Sequence, residues 1–101
     1  MNRKFMLSYF YTQRFKNKEI ELTYDLFYKM FHNCESEFVF YYKDYVIFTA
    51  FHYENNRLRY ELNIQRNELT ENYQFDSCDE LTNAKVINGF SIIQLWNDLS
   101  N

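Results

Sequence analysis

The sequence predicts an α+β domain: an antiparallel β-meander of three to five strands with helices packed on one face. Three observations predict it. The runs 37–42, 45–53 and 57–65 are rich in aromatic and β-branched residues and are parted only by Lys43-Asp44 and by a break at Asn55-Asn56, the spacing of strands joined by tight turns. One helical stripe precedes these runs, and two helix-start signals follow them. The whole chain of 101 residues is 47% apolar and 22% aromatic, with no proline and a single glycine, so it reads as one continuous folding unit over 1–101 without a linker.

Residues 1–22 form an N-terminal extension in this reading. The alternation of Phe5, Leu7, Tyr9 and Tyr11 predicts a strand from Lys4 to Phe15, while Phe5, Met6, Tyr9 and Phe10 also fit helical spacing. A turn around Lys16 to Lys18 follows, with Glu19 to Leu22 extended. Thr23 is then a good N-cap, Asp25 puts a negative charge in the first turn, and Leu26, Phe27, Met30 and Phe31 make an apolar stripe. This helix ends near Asn33, and Cys34 to Ser36 form a loop.

In the third β-rich run Leu58, Tyr60, Leu62 and Ile64 alternate with Arg57, Arg59, Glu61, Asn63 and Gln65, so one face is buried and the other wet. The second run is apolar on both faces, as a central strand is. Tyr73 to Phe75 add a short fourth strand. Ser77-x-x-Glu80 is a capping box opening a helix to about Ala84, and Ser91-x-x-Gln94 is another, with Phe90 and Leu95 spaced for a hydrophobic staple. Gly89 supplies the turn between the two helices. Ile92, Leu95, Trp96 and Leu99 form the stripe that lies on the sheet.

A formal net charge of −3 gives no general attraction for nucleic acid or anionic lipid. The charge is nevertheless polarised. Arg3, Lys4, Arg14, Lys16 and Lys18 against Glu19 and Glu21 leave residues 1–22 at +3, whereas Glu68, Glu71, Asp76, Asp79, Glu80 and Asp98 against Lys85 leave residues 67–101 at −5. Such ends steer a charged partner, or let two copies meet head to tail. Cys34 and Cys78 lie far apart without metal-ligand spacing, and no run approaches membrane-spanning length. Free thiols and a cytoplasmic location are expected.

The chemistry-bearing residues do not assemble into a catalytic motif. His32 and His52 are the only histidines, and the closeness of His32 to Cys34 is explained by the preference of imidazole for a helix C-terminus. One glycine excludes glycine-rich phosphate loops. Capping accounts for Asp76, Asp79 and Glu80 before a metal or general-acid role does. The expectation is a non-enzymatic protein with no cofactor and no metal. Arg57, Arg59 and Arg66 with Tyr41, Tyr45 and Tyr53 make a stacking platform for single-stranded nucleic acid an alternative.

The stretch TYDLFYKMFHNCESEFVFYYKDYVIF resembles a recurrent opening in small proteins from low-GC Gram-positive bacteria and their phages, a Thr-Tyr helix followed by a Tyr-Lys-x-Tyr hairpin. The ending FDSCDELTNAKVINGFSIIQLWNDLS resembles their usual close, an acidic helix and then a Gly-x-Ser helix containing tryptophan. Together these cover residues 23–101, departing at Asp44, where such hairpins carry glycine. The resemblance implies origin in a phage or another mobile element, and hence an inhibitor of host defence such as an anti-CRISPR protein.

On that expectation the partner is a host protein, a CRISPR effector nuclease with a basic groove, blocked sterically. Asp76, Asp79 and Glu80 are the expected acidic contacts, with Tyr41, Tyr53 and Arg59 as anchors. The alternatives are a toxin-neutralising immunity protein or self-associating structural subunit, with a homodimer as its hallmark, and a small nucleic-acid-binding module.

Overall fold

Asparagine takes the backbone positions that glycine takes in many β-rich chains. In the computed structural model, which describes residues 3–8 and 18–101, Asn55, Asn56, Asn67 and Asn88 adopt φ of 52°, 62°, 55° and 52°, and Cys34 and Lys43 join them at 57° and 51°. An asparagine side chain bonds locally to the backbone, so the left-handed region costs it less than other non-glycine residues. Each of these residues sits where the chain reverses or leaves a helix. Asn88 and Gly89 (φ 83°) close a two-residue turn whose flanks, Ile87 and Phe90, exchange backbone hydrogen bonds of 3.0 and 2.9 Å.

Between these reversals run six strands and three short helices: β1 (Phe5–Ser8), β2 (Lys18–Glu21), α1 (Tyr24–His32), β3 (Phe38–Tyr42), β4 (Tyr45–Glu54), β5 (Arg57–Arg66), β6 (Leu69–Phe75), α2 (Cys78–Asn83) and α3 (Ile92–Leu95), the last continued by a 3-10 turn at Trp96–Asp98. β1 and β2 pair antiparallel as a two-stranded sheet, and β3-β4-β5-β6 form an antiparallel four-stranded meander in chain order. The architecture is the expected α+β meander. In the strand expected over Lys4 to Phe15, Phe5–Ser8 is β1, while Tyr9 to Phe15, with Lys16 and Asn17 of the expected turn, lie outside the described residues. Lys18, assigned to that turn, belongs to β2.

The capping signals act as read, with one correction. Thr23 accepts from the Leu26 N–H at 3.2 Å. Ser91 and Gln94 form the full reciprocal box, at 3.2 and 3.0 Å. At Ser77 only one half is made: its hydroxyl accepts from the Glu80 N–H at 3.1 Å while Glu80 stays on the surface. The Lys43-Asp44 turn forms without glycine because the left-handed residue is Lys43, which frees Asp44 to accept from Arg66 Nε at 2.9 Å. β6 begins four residues earlier than Tyr73. Leu69 to Asn72 carry one apolar residue, so no alternation marks them, yet they pair with Arg66 to Asn63 of β5; an exposed edge strand is held by its ladder rather than by buried side chains.

The core lies between one face of the meander and the helices. Phe27 of α1 is its centre, fully buried, with ring centroids 5.7 Å from Phe31, 5.2 Å from Phe38, 5.3 Å from Phe40 and 5.3 Å from Trp96. Close aromatic pairs of this kind add to the area they remove from water. The predicted stripe of Ile92, Leu95 and Leu99 is buried, with Trp96 packed beside it. Lys4 is also buried and sits 4.5 Å over the Trp96 ring; burial pulls its pKa down and the Asp98 charge pulls it partly back. Thr49, a polar residue on the core side of β4, is satisfied by donating to the Phe38 carbonyl and accepting from the Phe38 N–H, each at 3.2 Å.

Candidate interaction surface

Successive residues of a strand point to opposite sides of the sheet, so the register sorts the side chains. Toward the helices point Phe38 and Phe40 of β3, Ile47, Thr49 and Phe51 of β4, and Tyr60, Leu62 and Ile64 of β5. Away from them point Val39 and Tyr41 of β3, and Val46, Phe48, Ala50 and His52 of β4. Val39 pairs with Phe48 and Tyr41 with Val46, so these apolar side chains form one patch. Val39, Val46, Phe48 and Ala50 are half-buried and take no part in the core, and Tyr41 is 48% exposed.

On β5 and β6 the same face turns polar. Phe48 is followed across the sheet by Asn63 and Asn72, and Val46 by Gln65 and Thr70. Asn72 donates to Glu61, and Gln65 donates to Asn63 at 3.3 Å. The outer face is thus split lengthwise, apolar over β3-β4 and hydrogen-bonding over β5-β6.

The six residues singled out from the sequence do not share one surface. Arg59 and Asp76 do meet. Asp76, just after β6, accepts from Arg59 and lies 2.6 Å from Arg57 Nη2, so its charge is already spent on two guanidinium groups. The Arg59 Nε is buried without a partner among the described residues, which leaves its terminal nitrogens to hold the carboxylate. Tyr41 lies three strands away from Asp76 and six residues along, on the order of 25 Å by ordinary strand spacings. Tyr53 is 73% exposed, but its place in the alternation puts it on the opposite side from Tyr41. Asp79 accepts from the Tyr28 hydroxyl at 2.8 Å, joining α2 to α1, and this bond is the main reason the Tyr28 pKa is pushed up to about 12. Glu80 stands exposed on α2.

The alternative stacking platform is not assembled either. Arg57 and Arg59 are held on the outer face by Asp76. Arg66 falls on the other side of β5, ion-paired to Asp44 and 5.0 Å over the Tyr45 ring. Arg66 and Tyr45 line, with Leu69, Tyr73, Lys85 and Val86, an open cleft of about 410 Å³ beside β6.

His32 and Cys34 do not form a reactive pair: the Cys34 thiol contacts the His32 carbonyl at 4.0 Å, and the imidazole stacks on Tyr28 at 5.5 Å. Burial pushes the Cys78 thiol up to about 12, so it stays protonated at neutral pH. Among the described residues no group of three or more His, Cys, Asp or Glu side chains is placed to hold a metal ion, and no helix is long and apolar enough to cross a membrane. Sequence reasoning missed Val39, Val46, Phe48 and Ala50, although the signal was present in a second β-run apolar on both faces while helices cover only one. Comparison with protein-family models, with curated proteins and with solved structures finds no match.

Proposed function

We propose that this chain acts by occupation rather than by chemistry, binding a protein partner through the outer face of its meander. The observation that carries this reading is the apolar half-face of Val39, Tyr41, Val46, Phe48 and Ala50, which the described elements leave open. Its form matches a protein interface, an apolar and aromatic centre bordered by hydrogen-bonding groups. The resemblance of residues 23–101 to small phage and mobile-element proteins makes a host defence protein, and a CRISPR effector nuclease first, the partner class to test.

The binding surface moves with respect to the sequence expectation. Asp76 and Arg59 neutralise each other, Asp79 braces Tyr28, and Tyr41 is the one expected anchor on the apolar half-face. The purified chain, added in stoichiometric amount to a purified CRISPR effector nuclease, is expected to stop target cleavage. Phe48→Asp and Val39→Lys are expected to restore cleavage while the chain stays folded, each costing roughly 1 kcal/mol at these half-buried positions. Cleavage that persists at a large excess of the chain sinks the defence-nuclease reading. Inhibition that survives both substitutions sinks the outer-face assignment.

A further inference from the structure

An edge strand presents a row of unpaired N–H and C=O groups, and sheets blunt such edges with lysine, proline, bulges, very short strands or a covering segment. β6 has little of this beyond one further device, an inward-pointing charge at Glu71. It is seven residues long, carries neither lysine nor proline, and Leu69 at its start is 73% exposed. Among the described residues β5 is its one neighbour in the sheet. The sequence Leu69-Thr70-Glu71-Asn72-Tyr73-Gln74-Phe75 is, moreover, complementary to itself when read backwards.

From this we infer that β6 pairs antiparallel with β6 of a second copy about a two-fold axis at Asn72, joining two meanders into one continuous eight-stranded sheet. In that register Leu69 opposes Phe75 of the second copy, Thr70 opposes Gln74, Glu71 opposes Tyr73, and Asn72 opposes itself. Every pair is chemically matched. Leu69 and Phe75 bury apolar surface together, and both lie on the core side of the sheet with Tyr73. The Tyr73 hydroxyl donates to Glu71 within one chain, and across the axis it exchanges that acceptor for the same carboxylate of the second copy. Thr70, Gln74 and Asn72 are exposed hydrogen-bonding groups on the outer face.

The charges flanking the strand agree with the same register. One residue beyond each end, Glu68 opposes Asp76 of the second copy. Asp76 lies between Arg57 and Arg59, and the two guanidinium groups offset its repulsion of Glu68. Antiparallel pairing about a two-fold axis presents the same surface from both copies, which is the commonest form of symmetric dimer. The Asn72 axis holds whichever alternate set of β6 backbone groups faces outward, because an antiparallel ladder can place either a hydrogen-bonded or a non-hydrogen-bonded pair at its centre. The pairing uses the edge of the sheet and leaves the apolar half-face over β3-β4 free, so it stands or falls separately from the proposed partner binding.

Sedimentation equilibrium of the full chain is expected to show the mass rising from one chain to two as concentration increases through the micromolar range. Thr70→Lys with Gln74→Lys sets two pairs of like charges across the axis and is expected to hold the mass at one chain. Thr70→Glu with Gln74→Glu is expected to do the same. An equimolar mixture of the two double variants is expected to recover the two-chain species, because each lysine then faces a glutamate. A wild-type chain that stays single throughout, double variants that dimerise like the wild type, or a mixture that stays single overturns the pairing. Cross-linking gives a second route that does not depend on the lysine and glutamate variants folding. On a Cys34→Ser background, Asn72→Cys is expected to oxidise to a linked pair of chains, since it sits on the axis. Thr70→Cys, facing Gln74, is not, and linking at Thr70 in place of Asn72 overturns the register.

Discussion

The two edges of the meander are treated differently by the chain. β3 is five residues long, and the C-terminus comes back to close it: Tyr41 donates to the Ser100 carbonyl at 2.7 Å and the Ser100 N–H donates to the Tyr41 carbonyl at 3.0 Å. Asn101 then reaches on to the Phe5 carbonyl at 2.9 Å, tying the tail to β1. Since Tyr41 exchanges its outward bonds with Ser100, a foreign strand laid along β3 has to displace the tail first. β6 is two residues longer and carries no such bridge among the described residues. The difference teaches that a small sheet can use another segment of its own chain to keep one edge private while the other stays available, and it predicts that association is one-sided.

Two leucines test this most sharply, because one stands behind each edge. Leu99 is fully buried and anchors the tail just before the Ser100 bridge; Leu69 is 73% exposed at the start of β6. Leu99→Ala is expected to cost about 2–5 kcal/mol by emptying a core site, whereas Leu69→Ala is expected to cost the single chain, at a concentration too low for pairing, less than about 0.5 kcal/mol. Urea unfolding of the two variants measures the gap. The comparison breaks if the costs are similar, for then the tail is not held by its anchor.

Removing Ser100 and Asn101 leaves Leu99 in place, opens the β3 edge and releases the tie to β1. Two backbone hydrogen bonds to Tyr41 and the Asn101 side-chain bond to the Phe5 carbonyl disappear, each worth roughly 0.5–1.5 kcal/mol net, so a loss of about 1.5–4.5 kcal/mol is expected. The more telling readout is association. The shortened chain is expected to form species larger than two copies by light scattering, since both edges are then open. Unchanged size after truncation means that the tail does not guard β3.

Much of this architecture was legible in the sequence, and the reasons for the exceptions are physical. α1, the first three strands of the meander and the Ser91 box are set by local signals, namely caps, alternation and a β-run apolar on both faces. β6 was seen only at Tyr73 to Phe75 because its first half buries almost nothing and is defined by its ladder to β5. The tail bridge depends on residues 41 and 100, a separation over which no periodicity speaks. The candidate surface was half legible. Tyr41 was named, but the acidic residues were read as free contacts because a sequence does not show that Arg57 and Arg59 reach Asp76.

That Asp76 pair yields the smallest expected effect, and its value lies in opposite signs. Within one chain Asp76→Asn removes two ion pairs whose partners are partly exposed, with side-chain exposure of 63% for Arg57, 22% for Arg59 and 46% for Asp76. Each is worth about 1 kcal/mol at most, so the thermal midpoint is expected to fall by up to about 10 °C. In the β6-paired dimer the same change removes a negative charge opposite Glu68, leaving two arginines to attract it. At separations of about 6 Å, screened as in bulk water, this gains on the order of 0.5–1 kcal/mol at each end. Asp76→Asn is therefore expected to weaken the fold and tighten the dimer several-fold, and added salt is expected to shrink the second effect. Glu68→Lys is expected to weaken the dimer and leave the midpoint unchanged. If Asp76→Asn weakens folding and pairing together, Glu68 does not face this site and the Asn72 axis is misplaced.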